Sequence, residues 1–306
     1  METKNQTTVK YFILEGLSDN PEQQTSLFAL FLTLYLVGLV SNIAVMAAIA
    51  ADSHLHTPMY FFIWNLSLVD ICITTTIVPQ LLVSCISHWK TISYSCCIAQ
   101  LYFFVGMETI DSLLLGAMAY DRYVAICRPL HYCTAMDKKV CSMLIAGSWA
   151  VGLLNSLLHS LMIVRLSFCA SNLIQSFFCD VPALLKLSCS KTSNNELLIL
   201  TEGICLALLS IAPIVISYAL IISTLLGIRS SERRIKAFST CSSHLIVVSL
   251  YYGTVLFIYF RPTSSYSLRK EKAVTVMYTI VTPMLNPFIY SLRNDKMKVA
   301  IKKVMC

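Results

Sequence analysis

The sequence predicts an all-α membrane protein, a seven-transmembrane-helix bundle closed by a short amphipathic C-terminal helix. Three observations lead there. Charged residues make up 13% of the 306 and hydrophobic ones 57%, whereas an average soluble domain is roughly 25% charged, so a surface facing water on all sides cannot be built. The apolar residues gather in seven runs, each reaching the roughly 20 residues that a helix needs to cross the hydrocarbon core. None of these runs alternates as a barrel strand does, and lipid offers no partner to unpaired backbone groups, which leaves helices.

The runs cover 27–51, 59–84, 98–119, 140–164, 197–228, 237–260 and 273–292. Several carry Gly, Ser or Cys among the large side chains, as helices packing closely in lipid do. The segment 1–24 is polar and holds Glu2, Lys4, Asp19 and Glu22, so it lacks the basic-then-apolar order of a cleaved signal peptide, and insertion rests on the first span. Asn5-Gln6-Thr7 is a glycosylation sequon usable at Asn5 only outside the cell. With seven spans the carboxyl tail, 293–306, then lies in the cytoplasm. A second sequon, Asn65-Leu66-Ser67, falls inside the second span and is discarded.

The positive-inside count agrees weakly, since thirteen of the 23 Lys and Arg fall inside and ten outside. The inner ones cluster: they include Arg128, Lys138 and Lys139 after the third span, Arg229, Arg233, Arg234 and Lys236 after the fifth, and those from Arg293 to Lys303 in the tail. Attraction to anionic membrane lipid accounts for such clusters by itself. In the tail Met297, Ala300, Ile301 and Val304 recur at helical spacing with Lys298, Lys302 and Lys303 between them, the pattern of a helix lying on the membrane surface. Cys306 is a weak candidate for acylation.

Five of the thirteen cysteines, Cys96, Cys97, Cys169, Cys179 and Cys189, lie at or beyond the outer surface in this topology, where oxidation permits disulfides. Metal binding is the weaker reading, because no paired short spacing and no histidine cluster accompanies them. The outer loop, 165–196, is long for an undecorated connection and is expected to cover a site.

Four motifs stand in order along the spans. Leu55-His56-Thr57-Pro58-Met59-Tyr60-Phe61-Phe62 opens the second, and Met118-Ala119-Tyr120-Asp121-Arg122-Tyr123-Val124-Ala125-Ile126-Cys127 closes the third, followed by Arg128-Pro129-Leu130-His131-Tyr132. Lys236-Ala237-Phe238-Ser239-Thr240-Cys241-Ser242-Ser243-His244 opens the sixth, and Pro283-Met284-Leu285-Asn286-Pro287-Phe288-Ile289-Tyr290 closes the seventh. In these motifs the chain resembles the olfactory (odorant) receptors of the rhodopsin-like G-protein-coupled class. The resemblance extends over nearly the whole chain, so residues 1–306 are expected to form one receptor domain.

The resemblance implies disulfides Cys97–Cys179 and Cys169–Cys189, with Cys96 beside Cys97 leaving the first assignment open on the residues alone. It implies a coupling and activation set of Asp121, Arg122, Tyr123, Tyr218, Lys236, His244, Asn286, Pro287 and Tyr290, in which Arg122 rests paired with Asp121 until the sixth helix swings outward. An isolated Asp-Arg pair at a membrane boundary is otherwise a snorkelling side chain with its counter-ion.

Acids inside a span are costly, so Asp70, Glu108 and Asp111 are functional candidates, against the reading of protonated carboxyls that bond helices together. For Asp70 and Asp111 the resemblance points to a sodium pocket; no other cofactor and no catalytic or metal-binding residue is expected. Arg122 follows Asp111 by eleven residues and Glu108 by fourteen, close to three and four helical turns, which sets all three on one face with Glu108 about 20 Å from Arg122. Phe104, Val105, Thr109 and Ser112 share that face. Opposite them the resemblance brings Glu202 and Leu206 from the fifth span, Tyr252, Val255 and Tyr259 from the sixth, and Val276 and Thr279 from the seventh. Such a pocket is expected to be small, mostly apolar and enclosed. Where many rhodopsin-like receptors carry Trp and Pro, this chain has Ser249-Leu250-Tyr251-Tyr252-Gly253-Thr254, which makes Tyr252 the expected ligand sensor. His159 and His244 read as hydrogen-bonded packing residues.

The expected partners are a small-molecule odorant, a stimulatory olfactory-type heterotrimeric G protein that raises cyclic AMP, and membrane lipid; nucleic acid is not expected. The expected location is the plasma membrane, with the N-terminus outside, in olfactory sensory neuron cilia. A basic amine paired with Glu108 or Glu202, or another non-odorant small molecule, is the alternative ligand. A transporter or channel would need internal repeats or paired broken helices, and an intramembrane enzyme a nucleophile with its base or a metal motif; the sequence has none of these.

Overall fold

The computed structural model describes residues 9–18, 20–87, 90–169, 171–227, 230–259, 268–292 and 294–305. It is a mostly helical bundle of seven spans, with an eighth helix packed beside it. Asn5 and Cys306 lie outside the described residues, as do the side chains of Lys236 and Tyr259.

Helix starts follow local chemistry. The first span, Pro21–Ala51, begins where the Asn20 side chain accepts from the Glu22 amide at 3.0 Å and Pro21 supplies a preset first turn. The second, Pro58–Ile86, again opens on a proline. Ser93 caps the third, Tyr94–Cys127, and Asp137 caps the fourth, Lys138–Val164, accepting from the Val140 amide at 2.7 Å. The fifth span runs over Ser193–Leu226 and the sixth over Ser231–Tyr259. The seventh comprises Leu268–Val276, Met277–Val281 and Thr282–Leu292. The terminal helix, Asp295–Met305, buries Met297 and Ala300 against the bundle and leaves Val299 and Val304 exposed.

Among the described residues six of the seven spans are long and apolar enough to cross a membrane by themselves; the sixth carries a shorter apolar stretch, Cys241–Leu256. Its first turns are polar, so its place in the bilayer depends on its neighbours more than the apolar run 237–260 suggests.

The fifth and seventh spans each contain one π turn, at Ala207–Ile211 and Met277–Val281. Each turn lies just ahead of a proline, Pro213 and Pro283. A proline inside a helix has no N–H and crowds the preceding turn, and widening that turn by one residue relieves the conflict.

The third span is the axis of the bundle, with 67% of its most apolar stretch buried against 22% for the first. Small residues permit this. A Cβ on Gly152 would stand 2.5 Å from Ile110 Cγ1 and 2.7 Å from the Gly106 carbonyl oxygen, so the third and fourth spans meet almost backbone to backbone.

A cap that the polar reading of 1–24 does not anticipate closes one end. Strand β1 (Tyr11–Leu14) lies between β2 (Thr91–Ser93), to which it is antiparallel, and β3 (Leu173–Ile174), to which it is parallel. The pleat turns Phe12 and Leu14 inward onto Ile92, Leu101, Phe168, Ile174 and Leu184, a second apolar core apart from that of the bundle. Disulfides Cys97–Cys179 and Cys169–Cys189, with Cα atoms 5.5 and 5.9 Å apart, join the long loop to the third span and to itself, while Cys96 stays free and exposed.

Candidate functional site

Beneath the cap the third, fifth, sixth and seventh spans diverge around a cavity of about 1020 Å³. Its lining includes Phe104, Val105, Glu108, Thr109 and Ser112 of the third span, Glu202 and Leu206 of the fifth, and Tyr252 and Val255 of the sixth. The volume stands at the upper end of the usual ligand-pocket range, so the expectation of a small pocket needs correcting.

Val276 and Thr279 do not line the cavity, and Thr279 is wholly buried, donating to the Thr275 carbonyl at 2.8 Å. Thr275, Tyr278 and Lys272 present themselves instead. The resemblance carries positions over as on a regular helix, whereas the extra residue of the π turn rotates one side of the helix relative to the other.

The wall and floor are held by three hydrogen-bonded groups. Ser112 Oγ, Ser210 Oγ and the Tyr252 hydroxyl form a closed triangle with every side 2.9 Å, linking the third, fifth and sixth spans. Tyr251 donates to Glu108, to its carbonyl oxygen at 3.2 Å and to carboxylate Oε2 at 3.1 Å. Glu202 accepts from Asn155 Nδ2 at 2.6 Å and pairs with His159 Nε2 at 2.5 Å, while Asn155 also donates to Thr109 at 3.1 Å. His159 is therefore both a packing residue and part of the cavity wall.

The loop adds what sequence reasoning missed. Phe178 packs edge-on against Phe104 with ring centroids 4.9 Å apart, and Phe104 lies 6.3 Å from Tyr278. Both Phe177 and Phe178 precede Cys179, whose disulfide draws them down, so the half-cystine was the available signal. Above them Lys272 pairs with Glu15 at 3.1 Å and donates to the Gly16 carbonyl at 2.9 Å, which fastens the N-terminal segment to the seventh span.

Deeper in the bundle Asn286 donates to both Asp70 oxygens, at 3.0 and 3.1 Å. Asp70 is fully buried, as nearly are Asp111 and Asn42, and among the described residues Asp111 Oδ1, Asn42 Oδ1, Asn286 Oδ1 and the Tyr290 hydroxyl have no hydrogen-bond partner. Unpartnered buried oxygens of this kind suit a hard cation, which is bound through oxygen. Among the described residues no group of three or more His, Cys, Asp or Glu is placed to hold a metal ion together.

At the end of the third span remote from the cap, the expected Asp121–Arg122 ion pair is not formed. Adjacent helical residues diverge by about 100°, and Asp121 is engaged by the Tyr132 hydroxyl at 2.8 Å; Arg122 Nε is buried without a partner. Tyr132 belongs to the short helix Tyr132–Ala135. Burial, and then the negative charge of Asp121, hold its hydroxyl well above the usual phenol range. Tyr218 and His244 bond at 2.8 Å with their rings stacked, and His244 Nε2 lies 3.1 Å from the Leu115 carbonyl oxygen. A carbonyl only accepts, which makes Nε2 the protonated nitrogen and the Tyr218 hydroxyl the donor to Nδ1. Tyr123 stacks under Arg128, and Pro287 stands within the last helical stretch of the seventh span.

A seven-helix membrane bundle with a capped cavity at one end and a half-buried arginine at the other defines a receptor architecture. The olfactory receptor family model matches residues 31–306. Olfactory receptor 1f45 of Rattus norvegicus is 52% identical over 305 residues, covering 100% of this chain and 97% of that protein. Olfactory receptors 1L4 and 1C1 of Homo sapiens are 52% and 50% identical, covering 99% and 100% of this chain and 98% and 97% of theirs. The chain belongs to the olfactory receptor family and is an odorant-sensing G-protein-coupled receptor, not an enzyme.

Proposed function

We propose that the chain binds a small, mostly apolar odorant in the capped cavity and activates a stimulatory, olfactory-type heterotrimeric G protein, raising cyclic AMP. In this reading the capped end faces outward with the N-terminus, Asn5 is glycosylated, and the receptor resides in the ciliary plasma membrane of olfactory sensory neurons. The terminal helix rests on the inner leaflet through its lysines.

One observation carries the reading. The Ser112–Ser210–Tyr252 triangle on the cavity floor joins the same three spans that hold Arg122, Tyr218 and His244 at the far end. A ligand that displaces the Tyr252 hydroxyl changes how the sixth span leans on the third, and the outward swing of the sixth releases Arg122 to the G protein. Asp70 and Asp111 bind sodium between the two sites and favour the resting packing.

The test is cyclic AMP in cells supplied with the olfactory G protein, challenged with a chemically broad odorant panel. Arg122→Ala is expected to abolish every response while surface labelling stays at the wild-type level. Responses that survive the substitution remove Arg122 from coupling. Replacing sodium by a bulky organic cation is expected to raise basal signalling, and no change with Asp70 intact would dismiss the sodium site.

A further inference from the structure

The two glutamates of the cavity wall differ in what is left for a ligand. Glu202 is spent, since Asn155 holds one carboxylate oxygen and His159 the other, and Asn155 is itself braced by Thr109. Glu108 has a single described donor, Tyr251, which divides itself between Oε2 and the backbone carbonyl at distances above 3 Å. Its second carboxylate oxygen, Oε1, accepts from no described residue, and Glu108 is among the residues that line the cavity. The cations that line the cavity stand elsewhere: Lys272 is drawn to Glu15 and Gly16 of the cap, and Lys186 is exposed. Of the two glutamates Glu108 thus keeps an open acceptor, while the hydroxyls of Ser112, Ser210 and Tyr252 on the same wall are engaged with one another.

We propose that the cavity selects ligands whose head group donates a hydrogen bond, an ammonium or a hydroxyl on an apolar tail, with Glu108 as the acceptor and Glu202 as a positioning residue. The inference rests on the cavity being the ligand site. Phe104, Phe178, Leu206 and Val255 supply the surface for the tail. A buried acceptor left unmatched is what discriminates strongly between ligands of the same shape, because an ether or a carboxylate brings no donor and the carboxylate also brings repulsion.

The experiment uses one series on hexyl, octyl and decyl skeletons: primary amine, primary alcohol, carboxylic acid and methyl ether. Two readouts are taken on the full chain, cyclic AMP in cells and ligand-induced thermal stabilisation of the detergent-purified receptor. Amine and alcohol are expected to bind about tenfold or more tightly than acid and ether of equal length. Glu108→Leu is expected to erase that preference. Glu108→Gln, which keeps an acceptor and removes the charge, is expected to weaken amines about tenfold and alcohols far less. Glu202→Gln is expected to shift all four classes together. Acids or ethers that stabilise the wild-type receptor as well as the donors do, or stabilisation by none of the donors, overturns the proposal without any variant. A preference that survives Glu108→Leu assigns the acceptor elsewhere and also overturns it. Donor-selective stabilisation with flat cyclic AMP sustains the proposal and defeats the signalling reading. Cyclic AMP responses to acids and ethers equal to those of the donors do the reverse.

Discussion

At the scale of single residues, the Tyr132–Asp121 bond shows how a motif acts through a neighbour that it does not contain. Asp121 is 1% exposed and takes its hydrogen bond from outside its own helix. Tyr132→Phe leaves a buried carboxylate oxygen without that donor, a loss of about 1–3 kcal/mol. A lower thermal midpoint in purified receptor checks it; an unchanged midpoint would show that water replaces the phenol at no cost. Since burial and the Asp121 charge both resist ionisation of Tyr132, the phenol stays a donor as pH rises past the ordinary phenol range, and the contribution is the same at neutral and mildly alkaline pH. The sequence identified Asp121 and Arg122 by their motif but assigned them to each other. Which donor reaches a carboxylate depends on the turn after the helix, and spacing along the helix carries no information about that.

At the scale of elements, the close approach of the third and fourth spans depends on one missing side chain. Gly152→Ala sets a methyl group against the Gly106 carbonyl, which is backbone and cannot rotate aside, so a loss of about 1–3 kcal/mol is expected, read as reduced surface expression and thermal stability. Gly147→Ala, which meets nothing within 4 Å, is the matched control and is expected to be neutral. Existence and order of the spans were legible because hydrophobic runs of this length have few other uses. Faces were legible only where the helix is regular. On the third span the 3.6-residue count placed Phe104, Glu108, Thr109 and Ser112 on the cavity side. At the π turn of the seventh the resemblance named Val276 and Thr279, whereas Thr275 and Tyr278 line the cavity. Pro213 and Pro283 mark both irregular turns, but a proline in a span kinks, widens or simply tolerates the helix, and composition alone does not choose.

At the scale of the whole molecule, the cap and the bundle are two apolar cores joined by covalent and ionic ties. The Cys97–Cys179 disulfide closes 82 residues of sequence, and in the chain-entropy account a loop of that size contributes about 4 kcal/mol. Cys97→Ser is therefore expected to cost most of the surface-expressed receptor, while Cys96→Ser, at a free and exposed thiol, is expected to be neutral; flow cytometry of labelled cells separates the two. Equal losses would mean that the neighbouring thiols exchange partners. The cap was poorly legible because its strands are only two to four residues long and draw on three distant parts of the chain. Tyr11 to Leu14 is apolar, yet four residues carry too little pattern to announce a strand.

The order of that small sheet also sets a timetable for biosynthesis. Its central strand is made first, and both neighbours, at Thr91–Ser93 and Leu173–Ile174, come later. At a synthesis rate of roughly 5–20 residues per second, the N-terminal strand waits about ten to thirty seconds for its last partner. Until Thr91–Ser93 is made Phe12 and Leu14 have nothing to pack on, and one edge of the strand then stays open until the fourth helix is complete, so a newborn chain offers an unpaired sticky strand to whatever chaperone or sister chain is near.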